Sequence, residues 1–205
     1  MKYSMKKIII IALLAICLIF ISPPVKCLSD DSMVDNIPMS MYNHSGKKAI
    51  SPKEAMLVID HVVDRLPHID DKDNYKRLIH ETASAETDFG EFKYRPKIKG
   101  MYQIHIQSAK EILDMCRKIY PEGYKAVMDF YDSDKSFSHN LHHNIMFGTA
   151  VCATYYKIKI PKRQAFDLST VRKRGLQWLK IYATPSGGGS MAYWIKKSKH
   201  TEGLS

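Results

Sequence analysis

Apolar positions recur along most of this chain at helical spacing. Met56, Ile59, Val62, Val63 and Leu66 step by three or four residues, which places them on one face of a helix. Ser51 and Pro52 supply an N-cap and a first-turn proline, and Pro67 ends the pattern. A second helix is predicted over 73–89, with Tyr75, Leu78, Ile79, Thr82, Ala85 and Phe89 on its apolar stripe. Residues 90–99 are polar, contain Pro96 and read as a loop. Met101, Tyr102 and Ile104 follow Gly100 and predict a short irregular or strand-like piece. Ser108 is the expected cap of a helix to about residue 119, and Pro121 opens another to about 131. A loop over 132–136 precedes one long helix over 138–157. Helices over 168–182 and 190–197 follow, separated by a flexible turn over 184–189. The predicted fold class is mainly α, with at most a small strand element near residues 92–105.

The N-terminus follows a different pattern. Residues 8–21 are an uninterrupted apolar run of 14 residues, preceded by Lys2, Lys6 and Lys7 and broken by Ser22-Pro23-Pro24. The run is too short to cross a bilayer comfortably. A basic start, a short apolar stretch and a helix-breaking end describe a secretory signal, with a retained membrane anchor as the alternative. Residues 1–29 are therefore assigned to a signal peptide or anchor, 30–50 to a linker or extended arm, and 51–205 to the folded domain. The body of the chain is expected to be exported, to the periplasm or cell envelope.

Composition narrows the class. The chain has 205 residues, 45% apolar and 25% charged, which fits one globular domain plus appendages. A disordered chain, a collagen and a multi-span membrane protein are excluded. Four of the 31 Lys and Arg lie in residues 1–29, which carry no acid; the remainder has 27 bases against 21 acids, a net of +6. That charge suits an anionic polymer or surface outside the cytoplasm, and no nucleic acid is expected there. Cys116 and Cys152 lie on predicted helices, either as one disulfide or as two buried thiols. His139, His142 and His143 fall at helical offsets, but no fourth ligand is placed near them, and neither a metal nor a cofactor is expected.

The second helix carries the candidate chemistry. With Tyr75 at zero and about 100° per residue, Glu86 falls at about +20°, in the middle of the apolar stripe. Glu81 and Asp88 fall on the far side, and Glu81, four residues after Arg77, reads as its surface ion-pair partner. Glu86 is then the one acid expected on the core side. Burial and the negative helix end both disfavour its charged form, which raises its pKa toward that of a general acid. A structural Glu, bonded to a hydroxyl or rotated to solvent, is the other reading.

The order of the flanking residues adds a resemblance. Glu86-Thr87-Asp88-Phe89-Gly90 precedes Gly100-Met101-Tyr102-Gln103-Ile104, and Asn144-Ile145-Met146-Phe147-Gly148 comes later. This order resembles the lytic transglycosylase domain of the lysozyme-like superfamily, over residues 75–195, and residues 82–90 look most like phage and mobile-element members. Thr87 stands where the family has Ser, Tyr102 where it has Met, and Ala183 where Asn usually follows the residue matched by Tyr182.

The resemblance implies an α+β lysozyme-like fold and cleavage of the β-1,4 bond between N-acetylmuramic acid and N-acetylglucosamine. Glu86 would protonate the leaving oxygen, then as a base let the muramic acid C6 hydroxyl close a 1,6-anhydro ring. Gln103 would bond an N-acetyl group or the Glu, Met101 and Tyr102 would line the groove, and Tyr182 would bond Glu86 from the opposite wall. Asn144 is a substrate contact or a structural hydrogen-bonder. Gly100 and Gly148 are steric, and Trp178 and Trp194 either stack on sugars or fill the core. The implied partners are peptidoglycan strands, with a secretion or phage apparatus as a further one and the membrane through residues 8–21. The alternatives are a hydrolytic muramidase, which needs two carboxylates, and a catalytically weak peptidoglycan-binding accessory.

Overall fold

Ser51 opens the first helix, α1 (Pro52–Asp64), with a reciprocal cap. Its hydroxyl accepts the Glu54 N–H at 3.2 Å, and the Glu54 carboxylate accepts the Ser51 N–H at 2.7 Å. The computed structural model describes residues 50–90, 98–160, 167–183 and 189–199, all within the unit Pro38–Ser205. The second helix, α2 (Lys72–Thr87), buries Tyr75, Leu78, Ile79, Thr82 and Ala85 as its periodicity requires. It stops earlier than predicted because Asp88 and Phe89 turn left-handed, at φ 49° and 58°.

The small strand element is a two-stranded antiparallel ladder. β1 (Ile98–Lys99) pairs with β2 (Ile104–His105), Ile98 opposite His105 and Lys99 opposite Ile104. The next helix, α3 (Ile106–Ile119), starts two residues before Ser108. His105 caps it instead, its Nδ1 accepting the Gln107 N–H at 3.2 Å. Next come α4 (Pro121–Met128) and α5 (Phe137–His143). The single helix expected over 138–157 is two, because Asn144 leaves the helical region at φ −90° and ψ 97° and caps α6 (Ile145–Lys159). The described chain ends with α7 (Val171–Ile181) and α8 (Met191–Ser198).

The fold is mainly α, as expected. At its centre, α6 is buried on almost every side, from Ile145 through Thr154 and again at Tyr156. α1, α2, α3, α4 and α5 pack on it, and α8 packs on α2 and α7. Polar groups in this core are paired across helices, as burial demands. The Thr82 and Tyr156 hydroxyls meet at 2.8 Å, Tyr102 and Thr149 at 2.9 Å, and His68 Nε2 and the Thr154 hydroxyl at 3.0 Å. Cys116 and Cys152 are buried free thiols, so the disulfide alternative does not hold. Among the described residues no cluster of His, Cys, Asp or Glu can hold a metal, and no helix is long and apolar enough to cross a membrane. The apolar run 8–21, the arm over 30–49 and most of the predicted 184–189 turn lie outside the described residues.

Candidate active site

Glu86 sits in the last turn of α2. It is partly exposed between the buried Ala85 and Thr87. The Trp178 indole N–H, one turn before the end of α7, donates to its Oε1 at 2.8 Å. Trp178 is only 3% exposed, so the donor is rigid. An indole cannot titrate, and it fixes the carboxyl rotamer without competing for its proton. From α8, the Tyr193 hydroxyl donates to the Ala85 carbonyl at 2.7 Å, which holds the same turn from a second side.

The Gly100–Gln103 turn is joined to this helix end. The Thr87 hydroxyl donates to the Met101 carbonyl at 2.8 Å. The Tyr182 hydroxyl donates to the Tyr102 carbonyl at 2.5 Å from the end of α7. Gly100 has φ 71°, and a Cβ there would lie 2.3 Å from the Leu141 carbonyl oxygen, so glycine is required. Gln103 is also left-handed, at φ 51°, and its side-chain amide donates back to the Gly100 carbonyl at 3.0 Å. Two helices and a backbone turn therefore converge around one carboxyl.

Burial raises the pKa of the Tyr182 phenol, with the Cys152 and Glu86 charges adding to it. It raises Cys152 and Tyr156 too, and the Glu86 charge contributes to both. All three keep their protons at neutral pH.

Several expected roles change. Tyr182 braces the turn through Tyr102 and does not take Glu86 as its acceptor. Tyr102 is 1% exposed and Met101 is buried; both are core residues rather than groove lining. Asn144 is structural: its Oδ1 accepts the Phe147 N–H at 3.0 Å and its amide donates to the Phe130 carbonyl at 2.7 Å. Gln103 is partly exposed beside the turn. Gly148 is not a steric requirement, since an added Cβ would meet its nearest neighbour at 3.8 Å. Trp194 is core, its indole donating to the Val171 carbonyl at 3.2 Å.

The largest correction concerns Glu81. It is buried and has no surface partner in Arg77, which is exposed. Arg174 of α7 holds it through two bonds, Nε to Oε2 at 2.8 Å and Nη2 to Oε1 at 2.6 Å. Arg174 also donates to the Leu168 carbonyl at 2.8 Å. Arg174 and Trp178 are one turn apart, so α7 is fastened to α2 at both Glu81 and Glu86. Sequence reasoning missed both partners, although Arg174 stands in the apolar register Val171–Arg174–Trp178–Ile181, where a base calls for a buried acid.

The two acids nearest Glu86 in the described sequence are both engaged, Glu81 with Arg174 and Asp88 with Lys197. The arrangement offers one oriented, water-accessible carboxyl for proton transfer. The chain matches no family model, no curated protein and no solved structure.

Proposed function

We propose that this protein is a peptidoglycan lytic transglycosylase with Glu86 as its single general acid and base. The observation that carries the reading is the placement of Glu86. It is partly exposed at the end of a buried helix, held by an indole N–H, beside a glycine turn that Thr87 and Tyr182 clamp. As acid, Glu86 protonates the glycosidic oxygen. As base, it takes the proton of the muramic acid C6 hydroxyl, which attacks C1 and closes the anhydro ring. No water is consumed and no second carboxylate is needed. Gln103 is the polar side chain beside the turn that faces the acetamido groups of the glycan. Export through residues 1–29 belongs to this reading, because the polymer lies outside the cytoplasm.

The test is digestion of purified peptidoglycan by the exported protein, with products analysed by mass spectrometry. Anhydromuropeptides are the expected products. Products with reducing ends would make the protein a hydrolase, and no product at all would make it a binding accessory. Glu86→Gln should lower the rate by about 10²–10⁴-fold at an unchanged melting temperature, because the amide oxygen still accepts the Trp178 N–H.

A further inference from the structure

Arg174, Trp178 and the C-cap Tyr182 recur at four-residue intervals on α7, so they share one face. Each is bonded to a different part of the site. Arg174 holds Glu81 through both carboxylate oxygens, Trp178 donates to Glu86, and Tyr182 donates to the Tyr102 carbonyl of the Gly100 turn. Arg174 lies one turn before Trp178 and bonds the other acid of α2, so it can reach Glu86 only by setting where α7 lies.

The spacing of the two bonds fits that role. A helix rises about 1.5 Å per residue, so Arg174 and Trp178 are about 6 Å apart along α7, and Glu81 and Glu86 about 7.5 Å apart along α2. With the rises so nearly matched, both bonds form together at one relative height of the helices. The Glu81–Arg174 contact defines that height sharply. Its two bonds, at 2.8 and 2.6 Å, fix both the distance and the plane of the guanidinium. The third bond, from Nη1 to the Leu168 carbonyl, ties the same group to the segment entering α7. Stability does not require a charged pair here, because well-packed apolar side chains of similar volume usually serve as well. What apolar side chains lack is direction. The ring contacts of Trp178 with Tyr193 and Trp194, at 6.3 and 5.1 Å between centroids, supply no directional bond either.

We propose that Arg174, with Glu81, is a positioning residue for catalysis: the pair sets the height of α7 on α2 and, through Trp178, the orientation of the Glu86 carboxyl. The inference rests on the role of Glu86 given above. A general acid must meet the glycosidic oxygen within hydrogen-bond reach, and a misplacement of about 1 Å costs up to about 10²-fold in rate. The pair therefore acts on turnover more than on stability. An apolar replacement restores the packing and leaves α7 free to settle at a slightly different height, with the indole N–H no longer aimed at Glu86.

The test compares wild type with Glu81→Leu/Arg174→Met, and with Arg174→Lys, which keeps the charge and loses the fork. Three quantities are measured on the full chain: the melting temperature, kcat and KM for peptidoglycan digestion, and the indole N–H signals in a ¹H–¹⁵N spectrum. The chain has two Trp, so Trp178→Phe assigns the signal of Trp178. In the wild type that signal should move as Glu86 titrates, and Glu86→Gln should abolish the movement. The apolar pair should recover most of the melting temperature, yet lose roughly 10–100-fold in kcat with KM little changed, and its Trp178 signal should shift and stop responding to pH. Arg174→Lys should show the same changes to a smaller degree, and it provides the readout if the apolar pair does not fold. An unmoved Trp178 signal in the folded variants would overturn the proposal, even if kcat fell, because the effect would then not pass through Glu86. A moved signal with unchanged kcat would overturn it too. A wild type that digests no peptidoglycan would refute the transglycosylase reading instead, and the Trp178 signal would still decide whether the pair orients Glu86.

Discussion

Glu81→Gln separates a surface ion pair from a buried one. The Glu81 side chain is 0% exposed and that of Arg174 5%. Both carboxylate oxygens accept from the guanidinium, at 2.8 and 2.6 Å. The amide keeps one acceptor, turns the second contact into donor against donor, and leaves the guanidinium charge buried without compensation. Breaking a buried pair from one side costs about 3–5 kcal/mol. At this chain length about 2–4 °C is lost per kcal/mol, so the melting temperature should fall by roughly 6–20 °C. Pairing with Arg77 on an exposed face would cost only a few tenths of a kcal/mol, a shift of about 1 °C.

Thermal melts followed by circular dichroism distinguish these values easily. Replacing both partners, Glu81→Leu with Arg174→Met, should recover most of the loss, because an apolar pair carries no desolvation cost. Recovery stays incomplete, since the Leu168 carbonyl loses its donor. A melt of Glu81→Gln within about 2 °C of wild type would refute the buried pair and with it the fastening of α7 to α2.

Other perturbations test the turn and the core. Gly100→Ala forces a Cβ to 2.3 Å from the Leu141 oxygen at φ 71°, so it should cost more than about 2 kcal/mol in denaturant unfolding and reduce peptidoglycan digestion. Gly148→Ala meets only ordinary contacts and should fall within about 1 kcal/mol of wild type. Burial, then the Lys157 charge, lowers His68 to about 4 against 6.5 unfolded. The unfolded chain therefore binds the extra proton between these values. The His68 contribution is present above pH 6.5 and is lost as pH falls toward 4, by about 3 kcal/mol in all. Melting curves from pH 7.5 to pH 4.5 should show this loss, and His68→Phe should flatten it; an equally steep acid limb in the variant would assign the effect to other groups.

Much of the helical architecture is local and could be read from the sequence. Ser51 with Glu54, Pro52, Pro121 and Ser190 mark helix starts because caps and first-turn prolines act within four residues. The stripe of α2 follows from a fixed angular step per residue. The break at Asn144 was missed because its neighbours on both sides are helix-compatible, and only the turn that follows α4 supplies the Phe130 carbonyl to which its side-chain amide donates. The position of Glu86 near an apolar stripe was also legible, and so was the Gly100 turn.

Tertiary packing decided what each acid does. A helical wheel divides a helix into one buried and one exposed half, but α2 is enclosed by α1, α6 and α8, and buries every residue from Leu78 to Ala85. The partners of Glu81 and Glu86 come from residues 93 and 92 positions later, and no periodicity within α2 encodes which side α7 will occupy. The acid read as exposed is therefore sealed against Arg174, and the acid read as buried reaches water at the helix end. A carboxylate can stay charged in the core only beside a fixed cation, and that cation is supplied by the packing of a distant helix.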